Sequence, residues 1–332
     1  MGDDLGFAAS RIEPASADAS FRRYFRVTRG ADSYIVMDAP PEKENVAPFV
    51  GIARILAGMS LNVPIVLAQD VSRGFLLLSD LGSTQYLDEL TANRQVDRLY
   101  ADALKALVTM QTARGGAARD LPPYDRALLL REMELLPEWF LGRHLELSVG
   151  DAERGMFDRL FDALVEAALS QPMGFVHRDY HSRNLLLTTD NNPGILDFQD
   201  AVVGPITYDA VSLLKDCYIA WPRERVRDWV WAYREQLIRA GITAGSGPTE
   251  FVRWFDLMGL QRHIKVLGIF ARLYYRDGKP GYLKDLPRVL DYVRATAAAY
   301  PETAEFAQYV TKRIDPAFAA AQARRGGNSP AA

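Results

Sequence analysis

Over the first eighty residues the apolar positions recur at two different spacings. Phe21, Arg23, Phe25 and Val27 alternate with Arg22, Tyr24 and Arg26, the period of a half-buried strand. A Gly30-Ala31-Asp32 turn leads into residues 33–37, so the two stretches predict an antiparallel hairpin that Pro40-Pro41 ends. Phe49, Ile52, Ile55 and Leu56 then fall at helical spacing, and Pro64 stops that element before short strands at 65–67 and 75–78. After Asp80-Leu81-Gly82 the period changes. Helices are expected over 86–107, 124–147, 152–169, 206–220, 223–240, 250–276 and 284–315. Leu160, Phe161, Leu164, Val165 and Ala168 form one apolar face of the third of these, and a short β region at 175–197 interrupts the series. The expected organisation is α+β: a sheet lobe at 1–82, a helical lobe holding the β region at 83–320, and a disordered Gly-, Ser-, Pro- and Ala-rich tail at 321–332.

Composition narrows the function classes. A chain of 332 residues that is 48% hydrophobic can build a core in each of two lobes. A net charge of -3 supplies no bulk positive charge for nucleic acid or an anionic membrane. The single cysteine, Cys217, excludes an internal disulfide framework and a Cys-rich zinc site, and fits a reducing compartment. No uninterrupted apolar run approaches the roughly 20 residues of a membrane helix. The acidic start, Met-Gly-Asp-Asp-Leu, is unlike a secretory signal, so a cytoplasmic monomer is expected. Neither G-x-G-x-x-G nor G-x-x-x-x-G-K-[ST] is present, which leaves Rossmann and P-loop readings unsupported.

One stretch carries chemistry: Phe175-Val-His-Arg-Asp-Tyr-His-Ser-Arg-Asn-Leu-Leu-Leu-Thr-Thr-Asp-Asn-Asn-Pro-Gly-Ile-Leu-Asp-Phe-Gln-Asp200. It reads strand, polar loop, strand, tight turn, strand. The turn folds Asp197 back beside Asn184, with Asp179 on the loop just before. Phosphoryl transfer needs such a set. A hydroxyl nucleophile needs a positioned proton acceptor, and magnesium needs hard oxygen ligands while it bridges the phosphates. In the kinase template a loop Asp takes the proton, an Asn shortly after it binds metal, and a later Asp binds the bridging metal. Asp179, Asn184 and Asp197 match those roles in order, and D-x-x-x-x-N is the template interval. Any one of them alone reads as a turn residue; turn preference does not account for the three together. The set predicts a kinase using ATP and Mg2+. His177 and His181, four apart on a loop with no glutamate between them, do not read as a zinc pair. His177 is expected to brace the loop through a backbone hydrogen bond. His181 is either structural or close to substrate.

His177-Arg-Asp-Tyr-His-Ser-Arg-Asn184 followed by Ile195-Leu-Asp-Phe-Gln-Asp-Ala201 resembles the signature of aminoglycoside-phosphotransferase and choline-kinase-like enzymes. Phe75-Leu-Leu-Leu-Ser-Asp-Leu-Gly82 resembles their interlobe hinge, and Gly204-Pro-Ile-Thr-Tyr-Asp209 the segment after the metal Asp. The resemblance spans roughly residues 15–315. It implies a two-lobed protein-kinase-like fold with a small antiparallel-sheet N-lobe and a mostly helical C-lobe, with adenine against Ser79, Asp80 and Leu81. Asp18-Ala-Ser-Phe-Arg-Arg-Tyr-Phe-Arg26, Val36-Met-Asp-Ala-Pro-Pro41 and Leu129-Leu-Arg-Glu-Met-Glu-Leu-Leu-Pro-Glu-Trp-Phe140 are similar to the bacterial anomeric kinases of N-acetylmuramate and N-acetylglucosamine. That implies a small amino-sugar acceptor from cell-wall peptidoglycan recycling, phosphorylated at its anomeric hydroxyl.

The chain departs from the kinase pattern in one respect. Many kinases hold the α- and β-phosphates with a lysine on the third strand. Residues 33–38 contain none, and Met37 stands in its place. The charge is expected from Arg26, Arg23 or Lys43. Ser20, where a Gly-rich loop would lie, is either a phosphate ligand or a simple turn. Asp200 either projects toward the acceptor or orients the metal Asp. Arg262, His263 and Lys265, set among Leu257, Leu260, Ile264 and Leu267, form either a receptor for a lactyl carboxylate or a solvated helix face. Glu134 and Trp139 are candidates for sugar hydroxyl binding and stacking, with the core the alternative for Trp139. Other acceptors (choline, ethanolamine, homoserine, an aminoglycoside) keep the same fold. A non-catalytic ATP-binding regulator is the reading the missing lysine would favour. A protein kinase is disfavoured because Gln-Asp follows Asp197-Phe and no Ala-Pro-Glu segment appears.

Overall fold

The computed structural model of the chain describes residues 11–17, 21–112 and 121–326. The chain divides into two compact units, Met1–Leu121 with His177–Ala201, and Pro122–Val176 with Val202–Ala332. This division differs from a cut at residue 82: the β region that follows His177 groups with the sheet.

The first unit is built on five antiparallel strands in the order β1-β2-β3-β5-β4: β1 Arg11–Ala17, β2 Arg23–Arg29, β3 Asp32–Asp38, β4 Val66–Asp70 and β5 Phe75–Ser79. The alternation around Val27 predicts β2 and β3, which pair from Arg23↔Asp38 to Arg29↔Asp32. β1 has no such signal. Its sequence, Arg-Ile-Glu-Pro-Ala-Ser-Ala, lacks an apolar alternation and contains Pro14, which an edge strand tolerates. Helix α1, Ala47–Gly58, buries Phe49, Ile52, Ala53 and Leu56, three of them among the positions that predict it. The helix expected over 86–107 is two helices, α2 Tyr86–Thr91 and α3 Val96–Gln111. Asn93 (φ 53°) and Gln95 (φ 50°) turn left-handed between them and break the axis.

The hairpin that bears the motif pairs Leu185–Leu186 with Gly194–Ile195. It is tied to the turn after α1 and to α2 and α3 rather than left free. Ile195 N–H donates to Asn62 O (2.8 Å), and Asn191 Nδ2 donates to Ser60 O (2.8 Å). Asn192 closes the turn by accepting from Thr188 N–H (3.1 Å), while its Nδ2 donates to Tyr86 Oη (2.6 Å) and Asp102 Oδ2 (2.8 Å). Gly194 sits in a tight approach: a Cβ there would meet Thr188 Cγ2 at 3.1 Å and Leu81 Cδ1 at 3.2 Å. The hairpin thus packs directly on the segment that follows β5.

The second unit is helical apart from Met173–Val176, which pairs with Val202–Pro205. Its helices are α4 Arg126–Met133, α5 Asp151–Leu169, α6 Tyr208–Leu214, α7 Arg223–Arg239, α8 Pro248–Tyr275, α9 Leu286–Ala297, α10 Ala304–Tyr309 and α11 Asp315–Gly326, with a π-helical stretch at Leu136–His144. Helix α8 is the core element, buried without interruption from Leu257 to Gly268 and packed on α5, α6, α9 and the π-helical stretch. At Gly268 a Cβ would lie 2.4 Å from Leu135 O, so only glycine permits that crossing. Among the described residues no helix is long and apolar enough to cross a membrane. The expected disorder from 321 onward is corrected as far as residue 326. Phe318 and Ala321 are buried one turn apart and hold α11 in place, with Phe318 against Phe140 at 6.1 Å.

Candidate active site

The first unit brings Asp179, Asn184 and Asp197 together. Asn184 is the hub: its Nδ2 donates to Asp179 O at 3.0 Å and to Asp197 Oδ2 at 3.2 Å. Two backbone hydrogen bonds set its position, Asn184 N–H to His181 O and Leu196 N–H to Asn184 O, both 2.9 Å. The first closes the loop as a turn and the second continues the hairpin ladder. Asp197 then leaves the ladder with φ 61°, a left-handed conformation that a non-glycine residue holds at a cost and that Asp tolerates better than most. Arg178, just before Asp179, has φ 76°. A left-handed residue just before Asp179 and the left-handed Asp197 itself mark this as a place where surrounding structure imposes the backbone, as functional sites commonly do.

Neighbours secure both carboxylates. Phe198 is fully buried and lies 4.9 Å from Phe49 of α1, which anchors the residue after Asp197. Gln199 Nε2 donates to Asp197 Oδ1 at 2.9 Å and more weakly to Asp200 Oδ2 at 3.4 Å. Tyr180 Oη donates to Ala103 O of α3 at 2.8 Å and pins the residue after Asp179. His177 spans the two halves of the site. Its Nε2 donates to Leu196 O (2.9 Å) and its Nδ1 accepts from Asp179 N–H (3.2 Å). That pair of bonds needs a neutral ring, and burial supplies it by pushing the imidazole down to about 4. The bracing role expected of His177 is the one these bonds describe.

A divalent cation fits this donor set. Asp197 offers hard carboxylate oxygen, and Asn184 offers amide oxygen once its side chain turns that oxygen toward Asp197. Among the described residues no three His, Cys, Asp or Glu side chains gather as a metal centre. Magnesium bound through one or two protein ligands plus substrate phosphates requires no such gathering.

The cations expected near the phosphates are placed differently from one another. Arg23 is paired with Asp38, its cross-strand partner. Arg26 binds Asp80 through Nε (2.6 Å) and Nη2 (3.1 Å), and also donates to Gly82 O (3.0 Å). Lys43 lies over the Phe21 ring at 4.4 Å. Met37 is fully buried opposite Leu76. Arg22, which is not among the three cations expected there, also reaches the site: its Nη2 is 3.5 Å from Asp197 Oδ1. The strand alternation groups Arg22 with the polar face, and nothing local singles it out; nor does anything single out Gln199. Ser20 lies outside the described residues. In the segment after β5, the Asp80 carboxylate is engaged by Arg26, Ser33 and Gly82 N–H, which fixes the turn there. Ser79 pairs with Ile65 through backbone and hydroxyl. Any adenine contact at Ser79, Asp80 and Leu81 therefore rests on main-chain groups, not on the Asp80 side chain.

His181 is half-buried two residues after Asp179, with its N–H on Asp179 O at 3.0 Å, and Asp200 is exposed. The remaining candidates belong to the second unit. Glu134 forms a two-point pair with Arg154 (2.6 and 2.8 Å), and Trp139 is half-buried on the π-helical stretch. Arg262, His263 and Lys265 are 4%, 0% and 7% exposed, so the solvated-face reading of α8 is overturned. The carboxylate-receptor reading is not carried forward either, because these groups already serve the core. Lys265 Nζ lies 2.8 Å from Glu132 Oε1 and donates to Tyr208 Oη at 3.0 Å. His263 stacks on Tyr292 (4.7 Å), its Nε2 3.0 Å from Lys215 O, and burial lowers it to about 3. Arg262 Nη1 lies 3.4 Å from Cys217 Sγ.

Comparison with known proteins agrees with this geometry. The chain matches the model of a phosphotransferase enzyme family over residues 11–245. It is 48% identical over 304 residues to the N-acetylmuramate/N-acetylglucosamine kinase of Pseudomonas putida, covering 92% of this chain and 88% of that one. The kinase of the same name from Neisseria meningitidis is 46% identical over 309 residues, covering 91% and 88%. Among solved structures, an ADP-bound aminoglycoside phosphotransferase superposes with a TM-score of 0.58 at 16% identity, over 88% of this chain and 95% of that one. A choline kinase from Cryptosporidium parvum gives 0.60 at 12%, over 88% and 90%. At those identities the structural likeness speaks to the two-lobed fold alone.

Proposed function

The chain belongs to the phosphotransferase enzyme family, and from that membership we propose that it is an ATP-dependent kinase of N-acetylmuramate and N-acetylglucosamine. The observation that carries the kinase reading is the convergence of Asp179, Asn184 and Asp197 on one braced hairpin. The acceptor is inferred from the relatives' name and their identity of nearly one half over nine-tenths of the chain. Phosphate is proposed to go to the anomeric hydroxyl, giving the sugar 1-phosphate for peptidoglycan recycling in the cytoplasm, where ATP is available.

In this mechanism Asp179 orients the acceptor hydroxyl and takes its proton as the γ-phosphoryl group is transferred in line. An anomeric hydroxyl is more acidic than an ordinary alcohol, so a carboxylate suffices as its acceptor. A magnesium ion bound at Asp197 and Asn184 would neutralise charge on the phosphates. His177 links the Asp179 N–H to the carbonyl of Leu196, the residue before Asp197, through the hydrogen bonds on either side of its ring. His181 and Asp200, beside those two residues, are proposed to contact the sugar. Positioning and charge neutralisation supply most of the acceleration.

The test is transfer from Mg·ATP to a panel of N-acetylmuramate, N-acetylglucosamine, choline, homoserine and kanamycin, with product position read by phosphorus NMR. Phosphate on the anomeric carbon of the amino sugars is the expected result. Turnover of another acceptor alone would retain the kinase and replace the substrate. In the same assay Asp179→Asn should hold nucleotide affinity and lose about 10²–10⁴-fold in kcat, the usual worth of a positioned base. A near-native kcat would remove Asp179 from this role.

A further inference from the structure

We propose that β4 is a self-association surface, on which a second copy of this chain adds its own β4 antiparallel and extends the five-stranded sheet. The monomer expected from the sequence is thereby replaced by a dimer, independently of the kinase reading. Three observations in the first unit carry it. First, β4 is an outer strand of the sheet, and among the described residues no strand or isolated bridge pairs with its far side. Such an edge offers a row of backbone donors and acceptors to another chain, and folded proteins ordinarily blunt it with charge or proline. The opposite edge is blunted: β1 carries Arg11, Glu13 and Pro14. Second, β4 reads Val-Leu-Ala-Gln-Asp, with no basic residue or proline inside it, and Ile65, Leu67 and Val71 are 45%, 50% and 51% exposed. Third, a cavity of about 600 Å³ opens between this strand and α1, lined by Val50, Ala53, Arg54 and Ala57 of the helix and by Ile65 and Leu67 among the strand residues. Arg54 is the one charged side chain in that lining, and no carboxylate faces the cavity with it.

The occupant follows from what these groups lack. An open edge takes an extended strand, an apolar groove takes apolar side chains, and a lone guanidinium takes a carboxylate. β4 of a second copy supplies all three. The strand Val66–Asp70 has Ala68 at its centre. An antiparallel pair with its two-fold axis at Ala68 sets Leu67 opposite Gln69, Ile65 opposite Val71, and Val66 opposite Asp70. Helix α1 ends at Gly58 and the chain turns back into β4 by Val66, so the C-terminal half of the helix, with Arg54, lies beside the start of the strand. Asp70 of the second copy arrives at that same end. Charge complementarity is therefore satisfied twice, once at each end of the axis. A strand pair this short buries less than the roughly 800 Å² per partner of a standard interface, so the dimer is expected to come apart on dilution.

Sedimentation equilibrium of the full chain, from micromolar to near-millimolar protein, tests this, with circular dichroism to establish that each variant folds. Wild type should pass from monomer to dimer mass as concentration rises. Leu67→Lys places a charge on the exposed edge and should remain monomeric throughout. Arg54→Glu removes both ion pairs and sets like charges together, so it should weaken association about tenfold or more. Register is read by cross-linking. Ala68→Cys faces itself across the axis, within the Cα span a disulfide needs, and should give a covalent dimer on copper-catalysed air oxidation. Val71→Cys, which faces Ile65, should not; the native Cys217 is buried and does not compete. Monomer mass for wild type at every concentration would overturn the proposal and leave the cavity to another occupant. A dimer that both Leu67→Lys and Arg54→Glu leave intact would overturn it too, as would cross-linking of Val71→Cys as readily as Ala68→Cys.

Discussion

Charged groups are handled in opposite ways in the two units. In the first, Asp179 and Asp197 are partly exposed, the former preceded by a left-handed residue and the latter left-handed itself, with an amide, a histidine and an arginine at 3.5 Å among their neighbours. In the second, Lys265 and Glu132 have side chains only 9% and 8% exposed and meet at 2.8 Å, with Tyr208 on the ammonium and Tyr124 on the carboxylate. A carboxylate with water on one side can exchange that water for a cation or accept a proton. A sealed pair cannot exchange anything without leaving a buried charge uncompensated. Three cations on one helix, which the sequence leaves as either a carboxylate receptor or a solvated face, act as core struts in the fold.

The contrast is broken most severely at Lys265. Lys265→Met should cost about 3–5 kcal/mol, since it leaves Glu132 buried without its counter-ion. Chemical denaturation measures this, and a loss under about 1 kcal/mol would mean the pair is not sealed. A smaller effect should come from pH. Burial lowers His144 and His177 to about 4 and His263 to about 3, so the folded chain resists protons that the unfolded chain accepts near 6.5. Their stabilisation is complete above pH 6.5 and is lost progressively as pH falls toward 4, by about 1.4 kcal/mol per pH unit for each histidine. Denaturation midpoints at pH 7, 6 and 5 would show the decline; a flat profile would contradict it. The smallest effect belongs to Arg159–Glu305, whose side chains are 65% and 63% exposed. Arg159→Ala should change stability by under about 1 kcal/mol, because water and salt already screen the pair. A loss as large as that at Lys265 would erase the distinction between sealed and exposed charges.

Local signals determined much of this molecule. The two-residue period around Val27 predicts the β2–β3 hairpin, and the helical spacing of Phe49, Ile52 and Leu56 predicts α1. The turn Thr188-Thr-Asp-Asn-Asn-Pro-Gly194 folds Asp197 back beside Asn184, and contacts with distant residues such as Asn62, Tyr86 and Asp102 then hold the hairpin in place. That is why the candidate catalytic set was legible: its order, spacing and hairpin context are all local. What was not legible depended on which distant group each side chain meets. Arg22, Arg23 and Arg26 are three arginines on one short segment, and only the tertiary structure gives them Asp197, Asp38 and Asp80 respectively. β1 exists because β2 offers it an open edge, and α11 because Phe140 receives Phe318. The charges of α8 are buried because elements from along the whole second unit enclose it, which a helical period cannot report. Periodicity records which face of an element is apolar; the partner that covers a face, and the charge it brings, is decided by packing between residues far apart in the chain.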